Sequence, residues 1–167
     1  MIEYVESLFA KYRQSGILVD TNILLLYVVG LTNKQRIPIF PRTEKFISKD
    51  FELLNRILKS FQRIVTTQSV LTEVSNLANQ LGEPERSKCM GIFAAEIKKL
   101  EEPYCASREL SDDPKFQKFG LTDCGISRLS YNRYLVLTDD FPLSQYLATQ
   151  GIDAINFNNI RKLGWSS

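Results

Sequence analysis

With 167 residues, the chain has the length expected of one domain with a single buried core. A hydrophobic fraction of 44%, a charged fraction of 24% and a net charge of +2 are ordinary for a soluble globular protein. No apolar run approaches the ~20 residues that cross a bilayer, and no signal-peptide pattern opens the chain. These features exclude a membrane-spanning helix, and we expect a cytoplasmic protein without membrane contact.

The sequence contains no histidine, which excludes several kinds of catalysis. Ser-His-Asp and Cys-His nucleophiles, histidine-ligated zinc and an imidazole general base all need that side chain. The cysteines Cys89, Cys105 and Cys124 form no C-x-x-C pair, which argues against a zinc knuckle and favours reduced thiols. Any hydrolytic chemistry is therefore expected to depend on carboxylates and on a hard metal ion that they bind.

The beginning of the chain predicts a helix, a strand and a second helix. Apolar residues at helical spacing predict an extra N-terminal helix over residues 3–14. The apolar run 17–19 predicts a strand buried on both faces, and a helix is expected over 22–30. Asp20 follows the strand directly, where ligands bind in parallel sheets. The alternative is that Asp20 only caps the helix.

A long basic segment, residues 31–63, carries eight Lys or Arg against three Asp or Glu. After a loop with two prolines, apolar periodicity predicts a helix over 42–61, with Pro41 suited to its first position. Four basic side chains opposite the apolar face are candidate RNA-backbone contacts: Arg42, Lys45, Lys49 and Arg56. The alternative is a solvated helix face without function.

The rest of the chain continues the alternation of strands and helices. The predicted elements are a strand at 63–67, a helix from Ser69 to Leu81, a helix from 85 to about 101, an extended connection over 103–120 with a helical turn near Phe116, a helix at 121–131, a strand at 134–138, a helix at 142–150 and a strand at 154–156. This order predicts an α/β three-layer sandwich with a central, mostly parallel sheet of about four to five strands flanked by helices.

Five acidic residues lie where these elements would meet one edge of the sheet. Asp20 ends the first strand, Glu73 lies in the helix after the second strand, and Asp123 lies in the first turn of a helix. Asp139 and Asp140 end the third strand. Converging carboxylates repel one another unless a cation is present, and Mg²⁺ or Mn²⁺ prefers such oxygen ligands and can activate a bound water. The pattern therefore predicts metal-assisted phosphodiester hydrolysis.

Four segments, in this order, resemble the PIN (PilT N-terminus) domain nucleases. They are Leu18-Val19-Asp20-Thr21-Asn22, Val65-Thr66-Thr67-Gln68-Ser69-Val70-Leu71-Thr72-Glu73-Val74, Phe119-Gly120-Leu121-Thr122-Asp123-Cys124-Gly125-Ile126 and Val136-Leu137-Thr138-Asp139-Asp140-Phe141. The resemblance covers about residues 16–157 and implies a single PIN-like domain over 1–167.

The resemblance also implies roles for residues of this chain. It makes Asp20, Glu73 and Asp123 metal-binding carboxylates. Asn22 and Thr138 would support the metal or the phosphate. Family members place a fourth acid one or two residues after the strand-ending threonine, and this chain has an acid at both positions. Asp139 and Asp140 are both kept, with a slight preference for Asp139.

By the same resemblance, we expect a Mg²⁺- or Mn²⁺-dependent endoribonuclease that acts on RNA. A VapC-type toxin with an antitoxin partner and a homodimeric state belong to this expectation. The N-terminal helix, the basic segment 31–63 and the acidic connection 103–120 depart from compact toxins of the family. Two other classes are alternatives: phosphoryl transfer to an aspartate, and a non-catalytic α/β module that binds nucleic acid or protein, in which the acids are only helix caps.

Overall fold

Four short parallel strands form the centre of the computed structural model, which describes residues 1–164. They are β1 (Ile17–Val19), β2 (Ile64–Val65), β3 (Leu135–Thr138) and β4 (Ala154–Asn156), in the spatial order β2-β1-β3-β4. The predicted α/β fold around a parallel sheet is confirmed, with four strands. Residues 165–167 of the predicted domain lie outside the described part of the chain.

Nine α-helices within residues 1–164 flank this sheet, consistent with a three-layer sandwich. They are α1 (Ile2–Tyr12), α2 (Thr21–Thr32), α3 (Ser48–Lys59), α4 (Gln68–Ala78), α5 (Glu85–Ile97), α6 (Ser107–Leu110), α7 (Phe116–Ser130), α8 (Phe141–Thr149) and α9 (Phe157–Lys162). No helix in this part of the chain combines the length and the apolar character that a membrane span requires.

The two middle strands explain why polar residues gather at one edge. All residues of β1 and β3 are completely buried, as expected for apolar strands covered on both faces. In their parallel register, Val19 pairs with Leu137. Asp20 follows Val19 and Thr138 follows Leu137, so these two residues lie side by side at the carboxyl edge of the sheet.

Helix α2 lies in the middle of the molecule and packs against α3, α4 and α5. It is apolar on all sides, which is the pattern of a buried helix. Gly30 is needed for this packing, because a Cβ atom there would come within 2.0 Å of the Phe51 ring. The glycine thus lets α3 approach α2 closely and fixes the basic segment against the core.

The predicted helix over 42–61 is wrong in its first part, because α3 begins only at Ser48. Residues before it form turns: the buried Thr43 hydroxyl donates to the carbonyl of Ile37 at 2.8 Å. The Asp50 carboxylate accepts from the Ile47 N–H at 2.8 Å and caps the helix. Pro41 therefore does not start a helix.

Because α3 begins only at Ser48, the four candidate RNA-binding side chains lie on two different parts of the chain. Arg42 and Lys45 lie in the turns, whereas Lys49 and Arg56 lie on α3. The four side chains do not form a stripe on a single helix. Phe46, which lies between these two pairs in the chain, is fully buried, and its ring lies 6.1 Å from that of Phe157. This packing holds the turns before α3 against the core.

Two other regions differ from the sequence prediction. The connection 103–120 contains α6 and the start of α7, and the last strand is followed by α9. Gly120 interrupts α7 with φ 75° and ψ −172°, a backbone conformation that is accessible essentially to glycine alone. The predicted helix at 121–131 corresponds to the part of α7 after this break, which carries Asp123.

Candidate active site

Asp20 is fixed by hydrogen bonds to both carboxylate oxygens. It caps α2, where Oδ1 accepts from the Thr21 N–H at 2.7 Å. Oδ2 accepts from the Thr138 hydroxyl at 2.6 Å, across the neighbouring ends of β1 and β3. The residue is only 7% exposed. Asp20 is therefore an oriented carboxylate at the strand edge, and part of its environment is that of a helix cap.

Asp140 is joined to Asp20 through the same threonine. The Asp140 N–H donates to Thr138 Oγ1 at 3.0 Å, while that oxygen donates its own proton to Asp20. Asp140 Oδ1 accepts from the Leu143 N–H at 2.9 Å and caps α8. The Asp20 carboxylate and the Asp140 backbone thus bind the same hydroxyl group.

Glu73 connects the first acidic segment with the third. It lies on α4, and its Oε2 accepts from the Thr21 hydroxyl at 2.6 Å. Its Oε1 accepts from the Thr122 hydroxyl, also at 2.6 Å. Because Thr21 follows Asp20 and Thr122 precedes Asp123, these two bonds bring Glu73 next to both aspartates.

Burial and mutual repulsion perturb two of the aspartates. Burial raises the pKa of Asp20 to about 6, with smaller contributions from the charges of Asp139 and Asp140. Burial, followed by the negative charges of Asp20, Asp140 and Glu73, raises the pKa of Asp123 to about 7. The acids that the sequence predicted to meet therefore lie close enough to interact, and their charge is costly without a cation.

Asp139 lies at the same edge but has different partners. The Lys45 ammonium forms an ion pair with Oδ2, and Asn22 Nδ2 donates to Oδ1 at 3.2 Å. Asn158 Nδ2 donates to the backbone carbonyl of Asp139 at 3.1 Å. Asn22 thus supports Asp139, and both oxygens of this carboxylate have protein donors.

The other basic candidates are further along the surface. Arg42 Nε donates to Gln80 Oε1 at 2.8 Å, and Lys49 and Arg56 are exposed on α3. Lys45, by contrast, contacts a candidate site acid, Asp139.

A cleft of about 600 Å³ opens beside the acids. Its walls come from α4 and from the break in α7, and they include Thr72, Glu73, Phe119 and Asp123. Polar and apolar side chains both line it. The cleft gives Glu73 and Asp123 access to solvent and room for a ligand beside them.

Sequence reasoning missed the positioning role of two threonines. Thr21 and Thr122 each donate a 2.6 Å hydrogen bond to Glu73, yet the sequence analysis gave neither of them a site role. A signal existed, since each is adjacent to a site aspartate. Asn158 on α9 carried no comparable signal, because that helix was not predicted.

The fit to a divalent cation depends on how many carboxylates the ion needs. Within residues 1–164, no three His, Cys, Asp or Glu side chains are grouped closely enough to hold a metal ion together. Mg²⁺ often takes only one or two carboxylates and keeps several waters. The oxygen donors of Asp20 and Asp123, with pKa values raised by burial and by like charges, fit an ion held in that way.

Comparison of the chain with protein-family models, curated proteins and solved structures finds no match. The resemblance to PIN nucleases therefore rests on the four sequence segments that carry it.

Proposed function

We propose that this chain is a PIN-like, metal-dependent endoribonuclease that hydrolyses phosphodiester bonds of RNA with Mg²⁺ or Mn²⁺. One observation carries the proposal: Glu73 accepts hydrogen bonds from Thr21 and Thr122, the direct neighbours of Asp20 and Asp123, so acids from separate segments of the chain meet at one edge of the sheet. Such convergence at the carboxyl edge of a parallel sheet is typical of a site and costs free energy unless a cation binds.

The contacts of each acidic side chain indicate its proposed role. Asp20 and Asp123 would hold the ion, with Asp140 beside them. When bound, the ion would supply an activated water and neutralise charge on the phosphate. Glu73 lines the cleft and is oriented by two threonine hydroxyls, so it is suited to orient a water or accept its proton.

Exposed basic side chains would bind the RNA backbone. Arg42, Lys49 and Arg56 belong to the segment 31–63, whose Lys45 reaches the acids. Phosphate contacts of this kind do not depend on sequence and weaken as salt concentration rises. These contacts would bind RNA of any sequence, and the residues of the cleft would determine which bond is cleaved.

The cysteines bear on the cellular compartment in which the protein would act. The three cysteines of the chain are free, which agrees with a reducing compartment such as the cytoplasm. The antitoxin partner and the homodimer that the resemblance implies stay predictions.

A non-catalytic binding module is the second candidate. It is favoured by the caps, since Asp20 accepts from the first N–H of α2 and Asp140 accepts from the Leu143 N–H of α8. Capping alone would explain these two acids. It does not explain Glu73, which lies beyond the first turn of α4 and faces the cleft.

The decisive experiment is cleavage of total RNA by four proteins purified in the same way: wild type, Asp20→Asn, Glu73→Gln and the control Glu6→Gln. Glu6 is an exposed acid of α1, so its variant controls for charge and for contaminating ribonucleases. We expect cleavage by wild type and Glu6→Gln only with Mg²⁺ or Mn²⁺, and rates lower by about 10²–10⁴-fold in the two site variants. Equal cleavage by all four proteins would remove the nuclease proposal.

A further inference from the structure

The ion pair between Lys45 and Asp139 joins the basic segment to the acidic edge. The Asp139 carboxylate is 2% exposed, whereas the Lys45 side chain is 49% exposed. Lys45 lies outside the four segments that carry the family resemblance. Its ammonium therefore approaches from the surface and covers a carboxylate that is otherwise inside the protein.

The segment that carries Lys45 is held in place from α9. Arg161 Nη2 donates to the Lys45 carbonyl at 2.9 Å and to Asp50 Oδ2 at 2.8 Å. The Arg161 guanidinium also lies 5.0 Å from the centre of the buried Phe46 ring. These contacts hold the carbonyl of Lys45 and the following Phe46, so the position of Lys45 is built into the fold.

The same pairing separates Asp139 from its neighbour Asp140. Asp139 has a cation on one oxygen and the Asn22 amide on the other. The Asp140 N–H instead donates to the Thr138 hydroxyl that binds Asp20, and the Asp140 charge acts on both Asp20 and Asp123, whereas the charge of Asp139 acts on Asp20. Lys45 thus neutralises the charge of Asp139, whereas the charge of Asp140 has no ion pair with Lys45.

We propose that Lys45 is a resident cation of this site, which keeps Asp139 out of metal coordination and leaves one divalent ion to Asp20 and Asp123, with Asp140 as the charged acid beside it. The inference rests on the proposed metal-dependent function and assigns the fourth acid within it. Lys45 is a positioning residue in this scheme, because it acts on the metal site through Asp139. Removing the ammonium frees a buried carboxylate beside the ion.

The test measures Mn²⁺ binding by the full chain, using the electron paramagnetic resonance signal of unbound Mn²⁺. We expect one Mn²⁺ per wild-type chain. Lys45→Met should bind Mn²⁺ at least about tenfold more tightly, since the charge of Asp139, which acts on Asp20, is then no longer neutralised. Lys45→Arg should resemble wild type. Lys59→Met, which removes an exposed lysine of α3, is the matched control for charge and should also resemble wild type.

Asparagine variants identify the carboxylate responsible. Asp140→Asn should weaken Mn²⁺ binding, and Asp139→Asn should weaken it less, since the half-exposed Lys45 side chain can turn its unpaired ammonium to solvent. The double variant Lys45→Met/Asp139→Asn should return to wild-type affinity, which isolates the pairwise effect. The inference is overturned if Lys45→Met binds Mn²⁺ like Lys59→Met, or if Asp139→Asn weakens binding as much as Asp140→Asn. Circular dichroism confirms that each variant is folded.

The failures of the two proposals can be told apart. If wild type binds no Mn²⁺, the inference and the metal-dependent nuclease both fall. If the Mn²⁺ pattern is as expected but wild type cleaves no RNA, Lys45 keeps its role and only the ribonuclease activity is removed. If wild type cleaves RNA with Mn²⁺ and Lys45→Met changes nothing, only the role of Lys45 is removed.

Discussion

The Thr138 hydroxyl donates to Asp20 Oδ2 at 2.6 Å, and this bond joins the ends of the two central strands, β3 and β1. It also lowers the pKa of Asp20 against the larger, opposite effect of burial. A single methyl-for-hydroxyl exchange therefore tests both the packing of the strand edge and the charge of the site.

We expect Thr138→Val to destabilise the protein at neutral pH by about 1–3 kcal/mol, because a buried carboxylate loses a donor without a change in side-chain shape. The pKa of Asp20 should move further upward. Urea unfolding followed by circular dichroism measures the stability. Thr138→Ser keeps the hydroxyl and is the control; a valine variant as stable as wild type would show that the bond contributes nothing.

The stability of the metal-free protein should fall as pH rises from about 4 to about 7. Asp20 and Asp123 have folded-state pKa values of about 6 and about 7, above the 3.8 of an unperturbed aspartate. The native state therefore binds more protons than the unfolded state in this window, so their stabilising contribution is complete below about pH 4 and is lost through pH 6 to 7.

Melting temperatures in EDTA across this pH range measure the effect, and comparison with Asp20→Asn isolates one group. The variant cannot ionise at this position, so we expect it to melt slightly above wild type at pH 7.5 and to lose that advantage near pH 4. A variant that is clearly less stable than wild type at pH 7.5 would favour the capping role of Asp20.

Millimolar Mg²⁺ or Mn²⁺ should raise the melting temperature of the wild type. A ligand that binds only the native state stabilises it by RT ln(1 + [L]/Kd), which is about 1.4 kcal/mol at ten times Kd. Asp20→Asn and Asp123→Asn should lose most of this shift, whereas Glu6→Gln should keep it. An unchanged melting temperature in wild type would support the non-catalytic binding module.

Close packing of α2 against α3 gives a test of the fold itself. Gly30→Ala should destabilise the protein by about 1–3 kcal/mol, since the added Cβ would meet the Phe51 ring at 2.0 Å and force a shift. Gly91→Ala in α5 is the matched control, because nothing lies within 4 Å of its added Cβ. The control should be stabilised by roughly 0.5–1 kcal/mol, as for an ordinary helix glycine. Equal responses at both positions would contradict the packing described for α2.

The strand edge could be predicted from sequence because its information is local. In β1 and β3, an apolar run passes directly into polar residues, so the run itself marks both the strand and the place where Asp20 and Thr138 emerge. Helix α2 could likewise be predicted, from its continuous apolar sequence. These elements depend on burial patterns that neighbouring residues already contain.

The basic segment could not be predicted in the same way, because distant contacts override its helical periodicity. Phe46 packs against Phe157, and Arg161 holds the carbonyl of Lys45, both across more than 100 residues of chain. For the same reason, sequence spacing alone could not distinguish Asp139 from Asp140. Their difference comes from Lys45, which no local pattern connects with the end of β3.

The two threonines that hold Glu73 provide the last prediction. Thr122→Val removes the hydroxyl that donates to Glu73 Oε1 at 2.6 Å and leaves the Thr21 bond to Oε2 in place. Since Thr122 is only half-buried, we expect a change in stability below about 1 kcal/mol but a loss of RNA cleavage of about tenfold, because Glu73 would no longer be fixed in the cleft. Thr122→Ser should recover the activity. Single-turnover cleavage with saturating Mn²⁺ measures the rate directly, and a valine variant that cleaves at the wild-type rate would mean that the orientation of Glu73 does not depend on this bond.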